Sequence, residues 1–236
     1  MALVSLRLTY EYRMLLARMK TITQAVYKLS PPGGIFNETV VVNLFPDRTR
    51  GARELLLNRA SKAGEIIRLK RGVYVLAPEY RKTEPPQWTI ASLLLSPSHV
   101  SLETALAYHG LIPEAVYQVA SVSTQRSRSF DTPLGVFSYH CVPTKSPRAG
   151  VEAVCEPVPF WSYVATPLRA IADMVYLNRT VTWNKDGVGY LCESLRIEEL
   201  DLQEMQFERC GEIIEAFRNQ RVKAFLKGMQ KEFGHD

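Results

Sequence analysis

The chain has 236 residues, 46% of them hydrophobic and 22% charged; this is globular usage with enough apolar material for one or two cored domains, and it excludes a disordered chain. No apolar run approaches the ~18 residues needed to span a bilayer, and residues 1–8 lack a basic stretch followed by a long apolar one, so the expectation is a cytoplasmic protein without membrane partners or a leader. The net charge of +5 is unevenly placed: residues 1–82 carry 15 Lys and Arg against 6 Asp and Glu, and residues 83–236 carry 14 against 18. The sign reverses at Glu84-Pro85-Pro86, which predicts two domains, 1–84 and 85–236, with different partners.

The first predicted element is a helix. Leu8, Tyr12, Leu15, Met19, Ile22, Val26 and Leu29 recur at alternating spacings of four and three, a heptad stripe that Pro31-Pro32-Gly33-Gly34 ends. Packing of this stripe on its own domain and pairing of two copies through residues 8–29 both fit the pattern.

Phe36 to Leu44 reads as a short helix, Phe45-Pro46-Asp47 as a turn, and Arg48 to Ala63 as a longer helix with Asp47 as N-cap and Gly64 as terminator. Glu65–Leu69 and Val73–Leu76 are β-rich runs joined by a tight basic turn at Gly72. Helix, turn, helix and hairpin in this order predict a winged helix-turn-helix that binds double-stranded DNA. On a helical wheel Ala52, Leu56, Ala60 and Ala63 form the core side, with Leu55 and Leu57 at its margins, and Arg53 and Arg59 fall toward it. Arg50, Glu54, Asn58, Ser61 and Lys62 lie opposite. Arg50 suits guanine and Asn58 adenine by bidentate contacts, Lys62 extends this front, and Arg48 suits a phosphate at the helix entry. Arg68, Lys70 and Arg71 cluster on the hairpin, where a wing meets the DNA backbone.

The second domain mixes helices and strands, so the expected fold class is α+β: an N-terminal winged helix-turn-helix followed by a mixed α/β domain. Trp88–Leu95 reads as helix. Ser101 is placed as the cap of a helix Leu102–His109 that Gly110 ends, and Tyr117–Thr124 and Val136–Val142 as strands around the turn Thr132-Pro133-Leu134-Gly135. Thr166 with Pro167 starts another helix, and Leu202–Phe233 reads as amphipathic and helical. Cys141, Cys155, Cys192 and Cys210 are widely spaced with no C-x-x-C pair, so reduced thiols are expected and neither a metal nor a cofactor.

Enzyme motifs are wanting. Gly187-Val188-Gly189 lacks the third glycine of a dinucleotide fingerprint, and there is neither a Walker phosphate loop nor a G-x-S-x-G elbow. His99 and His109 are ten residues apart, which is not a helical-face spacing, and Asp131 and Asp173 read as lone acids. A non-enzymatic protein is expected.

The run from Pro97 to Glu114, Pro-Ser-His-Val-Ser-Leu-Glu-Thr-Ala-Leu-Ala-Tyr-His-Gly-Leu-Ile-Pro-Glu, resembles the signature of AbiEi-type antitoxins of type IV toxin–antitoxin systems. Ser123-Thr124-Gln125-Arg126, the turn at Thr132–Gly135, Ala165–Asp173 and the upstream Arg71-Gly72-Val73-Tyr74 fit the same pattern. The resemblance spans roughly residues 36–230. It implies a winged helix that represses the protein's own operon and a C-terminal domain tied to antitoxicity against a co-encoded nucleotidyltransferase toxin. It assigns no toxin-contact residues and leaves direct contact with the toxin open. An orphan regulator, or an interaction factor whose acidic domain takes a basic partner, is the alternative.

Overall fold

The computed structural model describes residues 17–113 and 118–234. The chain is α+β and divides into two compact units, Met1–Pro85 and Pro86–Asp236. Among the described residues no helix is long and apolar enough to cross a membrane.

In the first unit, helix α1 (Thr21–Leu29) starts only after Lys20, which is extended at φ −62°, ψ 151°. The expected single helix over residues 8–29 is therefore interrupted at Met19–Lys20. The break has a partner: the Lys20 N–H donates to the buried Glu65 carboxylate at 2.8 Å, satisfying one of the free amides at a helix start. Met19 is buried, Ile22 and Val26 are buried in their own unit's core, and Leu29 is 52% exposed. Leu8, Tyr12 and Leu15 lie outside the described residues.

The chain then forms strand β1 (Ile35–Asn37), helix α2 (Glu38–Leu44), helix α3 (Arg50–Lys62), strand β2 (Ile66–Lys70) and strand β3 (Val73–Leu76). The expected helix Phe36–Leu44 is corrected at its start. Ile35, Phe36 and Asn37 pair antiparallel with Val75, Tyr74 and Val73, so these three residues are a strand. Asn37 stays extended and its Oδ1 accepts the Val40 N–H at 3.1 Å, which caps α2. Asp47 is likewise not the cap of α3. Thr49 is, through Oγ1 accepting the Ala52 N–H at 3.3 Å, so the helix starts two residues later and Arg48 lies in the turn. The sheet order is β1-β3-β2, all antiparallel. Its inner face joins α1, α2 and α3 in one core of Ile22, Val26, Phe36, Val41, Leu57, Ala60, Ile66, Tyr74 and Leu76, with Phe36 and Tyr74 stacked at 5.6 Å.

The second unit holds a six-stranded mixed sheet of order β6-β7-β5-β4-β9-β8: β4 (His99–Val100), β5 (Gln118–Ser123), β6 (Arg128–Thr132), β7 (Gly135–Cys141), β8 (Val151–Cys155) and β9 (Trp161–Ala165). Helices α4 (Gln87–Leu94), α5 (Leu102–Tyr108), α6 (Pro167–Leu177) and α10 (Gln220–Phe233) supply most of its helical packing. Thr166 caps α6 by accepting the Arg169 N–H, with Pro167 at the first position. The stretch Leu202–Phe233 is not one helix. Glu199–Gln203 forms α8, Cys210–Ala216 forms α9, and α10 follows only after extended Phe217 and the cap Asn219; α7 spans Trp183–Gly189.

A charged cluster sits in the core of this unit. Arg169 and Asp173, one turn apart on α6, both have fully buried side chains. Arg169 Nε donates to both Asp173 oxygens at 3.0 and 3.1 Å, and Nη1 to the Ala149 carbonyl at 2.7 Å. Ser101 Oγ donates to Asp173 Oδ2 at 2.8 Å, and His99 Nε2 lies 3.3 Å from the same oxygen. Two expectations are corrected here. Asp173 is not a lone acid, and the Ser101 hydroxyl does not cap α5, because it donates its hydrogen bond to a buried carboxylate 72 residues away.

Candidate nucleic-acid interface

The wheel of α3 is rotated from its expected setting. Leu57 and Ala60 are buried, Ala52, Arg53 and Leu56 are half-buried, and Leu55 and Ala63 face solvent. Arg53 is the cause. Its Nη1 donates to the Phe45 carbonyl at 3.3 Å and also to the Arg48 carbonyl, so its head is satisfied by the turn while its stem lines the core margin. Arg59, expected toward the apolar side, is exposed.

Arg50, Glu54, Asn58 and Lys62 are all exposed. Their four-residue spacing makes a ridge of roughly 18 Å along the helix. Arg50 Nε bonds Glu54 Oε1 at 3.0 Å with both side chains largely in water. An exposed pair of this kind contributes only about 0.2–1 kcal/mol, so it holds the guanidinium outward without locking it away from another acceptor. Arg48 lies in the turn, exposed, with its guanidinium 5.9 Å from the Phe45 ring centre.

The hairpin carries the other three basic residues, and they differ. Arg68 and Arg71 are exposed, whereas Lys70 is half-buried and burial draws its ammonium below the ordinary lysine range. A bulge between Arg68 and Lys70 shifts the register, and Arg68 Nε reaches the Lys70 carbonyl at 3.4 Å. The turn needs Gly72, whose φ is +80°. Its carbonyl accepts the Glu38 N–H at 3.2 Å, which fastens the hairpin tip to the start of α2.

Tyr74 connects hairpin and helix. Burial pushes its phenol up; Arg68 opposes this, while Glu38 and Glu54 add to it. Arg68 and the Glu54 end of the α3 ridge thus share one neighbourhood. Lys62 stands at the far end of the helix. Sequence reasoning missed the roles of Tyr74 and Glu38, which depend on partners distant in the chain.

The described residues hold no group of three His, Cys, Asp or Glu placed to bind a metal. No protein-family model matches the chain, and no curated protein matches it.

Proposed function

We propose that the first unit is a winged helix-turn-helix that binds double-stranded DNA at the protein's own promoter, and that the protein is a transcriptional autoregulator. One observation carries the reading: an exposed polar ridge, Arg50–Lys62, on the helix that leads directly into a hairpin bearing Arg68 and Arg71. α3 would lie in the major groove, with Arg50 and Asn58 on base edges and Arg48 on a phosphate. Arg68 and Arg71 would grip the backbone, and Lys70, half in the core, would add less. The resemblance to AbiEi-type antitoxins extends the proposal to antitoxin activity against a nucleotidyltransferase toxin.

The test is a mobility shift on the promoter across a salt series. Replacing Arg68 and Arg71 together by alanine is expected to weaken binding to all sequences and lower the salt slope by about two, roughly one per lost phosphate contact. Arg50→Ala is expected to relax the sequence preference instead, by about 1–3 kcal/mol at one base pair. An unchanged slope in the double variant refutes the wing. Co-expression with a neighbouring nucleotidyltransferase tests the antitoxin role: rescue of growth supports it, and growth arrest leaves a regulator without a toxin partner.

A further inference from the structure

Besides its buried core the second unit carries an open cavity of about 510 Å³ that the DNA reading does not use. Its size falls within the roughly 300–1,000 Å³ of small-molecule sites. Trp88 from α4 and Tyr108 from α5 meet there nearly at right angles, with ring centres 5.6 Å apart and planes at 74°. Ala107, Val119 and Pro157 give apolar walls.

Both rings are held in place. The Trp88 indole N–H donates to the Glu156 carbonyl at 3.2 Å. Tyr108 packs edge-on against His109 at 5.1 Å, and His109 Nε2 is fixed 2.8 Å from the Ala165 carbonyl. The Thr104 hydroxyl is already committed, accepting from the Ala120 N–H at 2.9 Å and donating to the Gln118 carbonyl.

The one charged side chain among the described residues lining the cavity is Glu156, which is exposed and has no ion-pair partner among the described residues. The Tyr108 phenol is pushed up by burial first and then by the carboxylates of Glu156 and Glu152, which places both acids near this corner. Two fixed aromatic faces in a corner beside a carboxylate, with no Lys or Arg among the described residues lining the cavity, attract an organic cation through the ring quadrupoles and the charge together.

We infer that the Trp88–Tyr108–Glu156 cavity binds a guanidinium or alkylammonium group. Two sources share that chemistry: an arginine or lysine side chain of a partner protein, and a free polyamine. The site makes no use of the DNA-facing ridge.

The test is a titration of the ¹⁵N-labelled full-length protein, following the indole N–H signal of Trp88, which Trp88→Phe identifies. The probes are N-acetyl-arginine amide, spermidine and the neutral isostere N-acetyl-citrulline amide. Saturable shifts are expected with the two cations. Roughly tenfold weaker binding is expected for citrulline and for the arginine probe on Glu156→Gln, within the range of a cation over an aromatic corner. Tighter binding of the arginine probe names a basic side chain as the ligand, and tighter binding of spermidine names a polyamine. Equal binding of citrulline, an unaffected Glu156→Gln variant, or no saturable shift overturns the proposal. Glu156→Gln is expected to shift promoter DNA like the parent, so the two readings fail separately.

Discussion

His99 and Asp173 show how a buried cluster sets the protein's response to acid. Burial draws the His99 imidazole below its ordinary 6.5 despite the bond to Asp173. Burial alone would raise Asp173, but Arg169, His99 and Ser101 outweigh it and hold the carboxyl below its ordinary 3.8. The ring is therefore neutral at pH 7, with Nε2–H donating a hydrogen bond to an ionised carboxylate. On unfolding both groups return to ordinary values and bind more protons than the folded chain does, so stability is complete above pH 6.5 and falls with acid. His99 contributes first, as the pH drops below 6.5 toward its folded value, and Asp173 follows below 3.8. In His99→Gln, the fall in melting temperature just below pH 6.5 is expected to flatten, leaving the Asp173 limb at lower pH. A melting curve parallel to the parent's across that range would remove His99 as the source.

At the scale of elements, signals that act within a few residues were readable and those that need a distant partner were not. Thr166-Pro167 announces α6 and Gly72 announces the hairpin, because cap and turn chemistry is local. Strand β1 has three residues, too few to show a period of two, and its partner β3 lies 38 residues on in register. Edge strand β6 is polar and mostly exposed, so it reads as loop. The ridge Arg50, Asn58, Lys62 and the core-side place of Arg53 were legible from spacing, whereas the exposure of Ala63 at the end of α3 was not. Gly72 gives this scale its prediction. At φ +80° an alanine is strained by about 1–2 kcal/mol, while an added Cβ comes no closer than 3.4 Å to Glu38. Gly72→Ala is expected to lower stability in urea by that amount and Gly72→Asn by less, since asparagine tolerates the left-handed region. Equal losses in the two variants would put the cost on the contact with Glu38 instead of on the backbone.

For the molecule as a whole, the division at Pro85–Pro86 separates two cores and two charges. The first unit closes its own apolar cluster, from Ile22 and Val26 through Phe36, Val41 and Leu57 to Ile66 and Leu76, within a single short segment of chain. Domains of this length bury only ~60% of their unfolded surface, so such a unit stands alone with a modest margin. Its excess of basic residues is offset in the full chain by the acidic excess of residues 83–236. A polyanion meets the sum of both fields at low salt and mainly the local contacts at high salt. Residues 1–85 expressed alone are therefore expected to melt cooperatively by circular dichroism. By fluorescence polarisation they are expected to bind non-specific DNA more tightly than the full chain at low ionic strength, the gap closing as salt is added. The reverse order at low salt would mean that the second unit contributes to DNA contact and that the charge reversal does not separate their roles. A fragment without a melting transition would mean that the first core is completed by residues beyond Pro85.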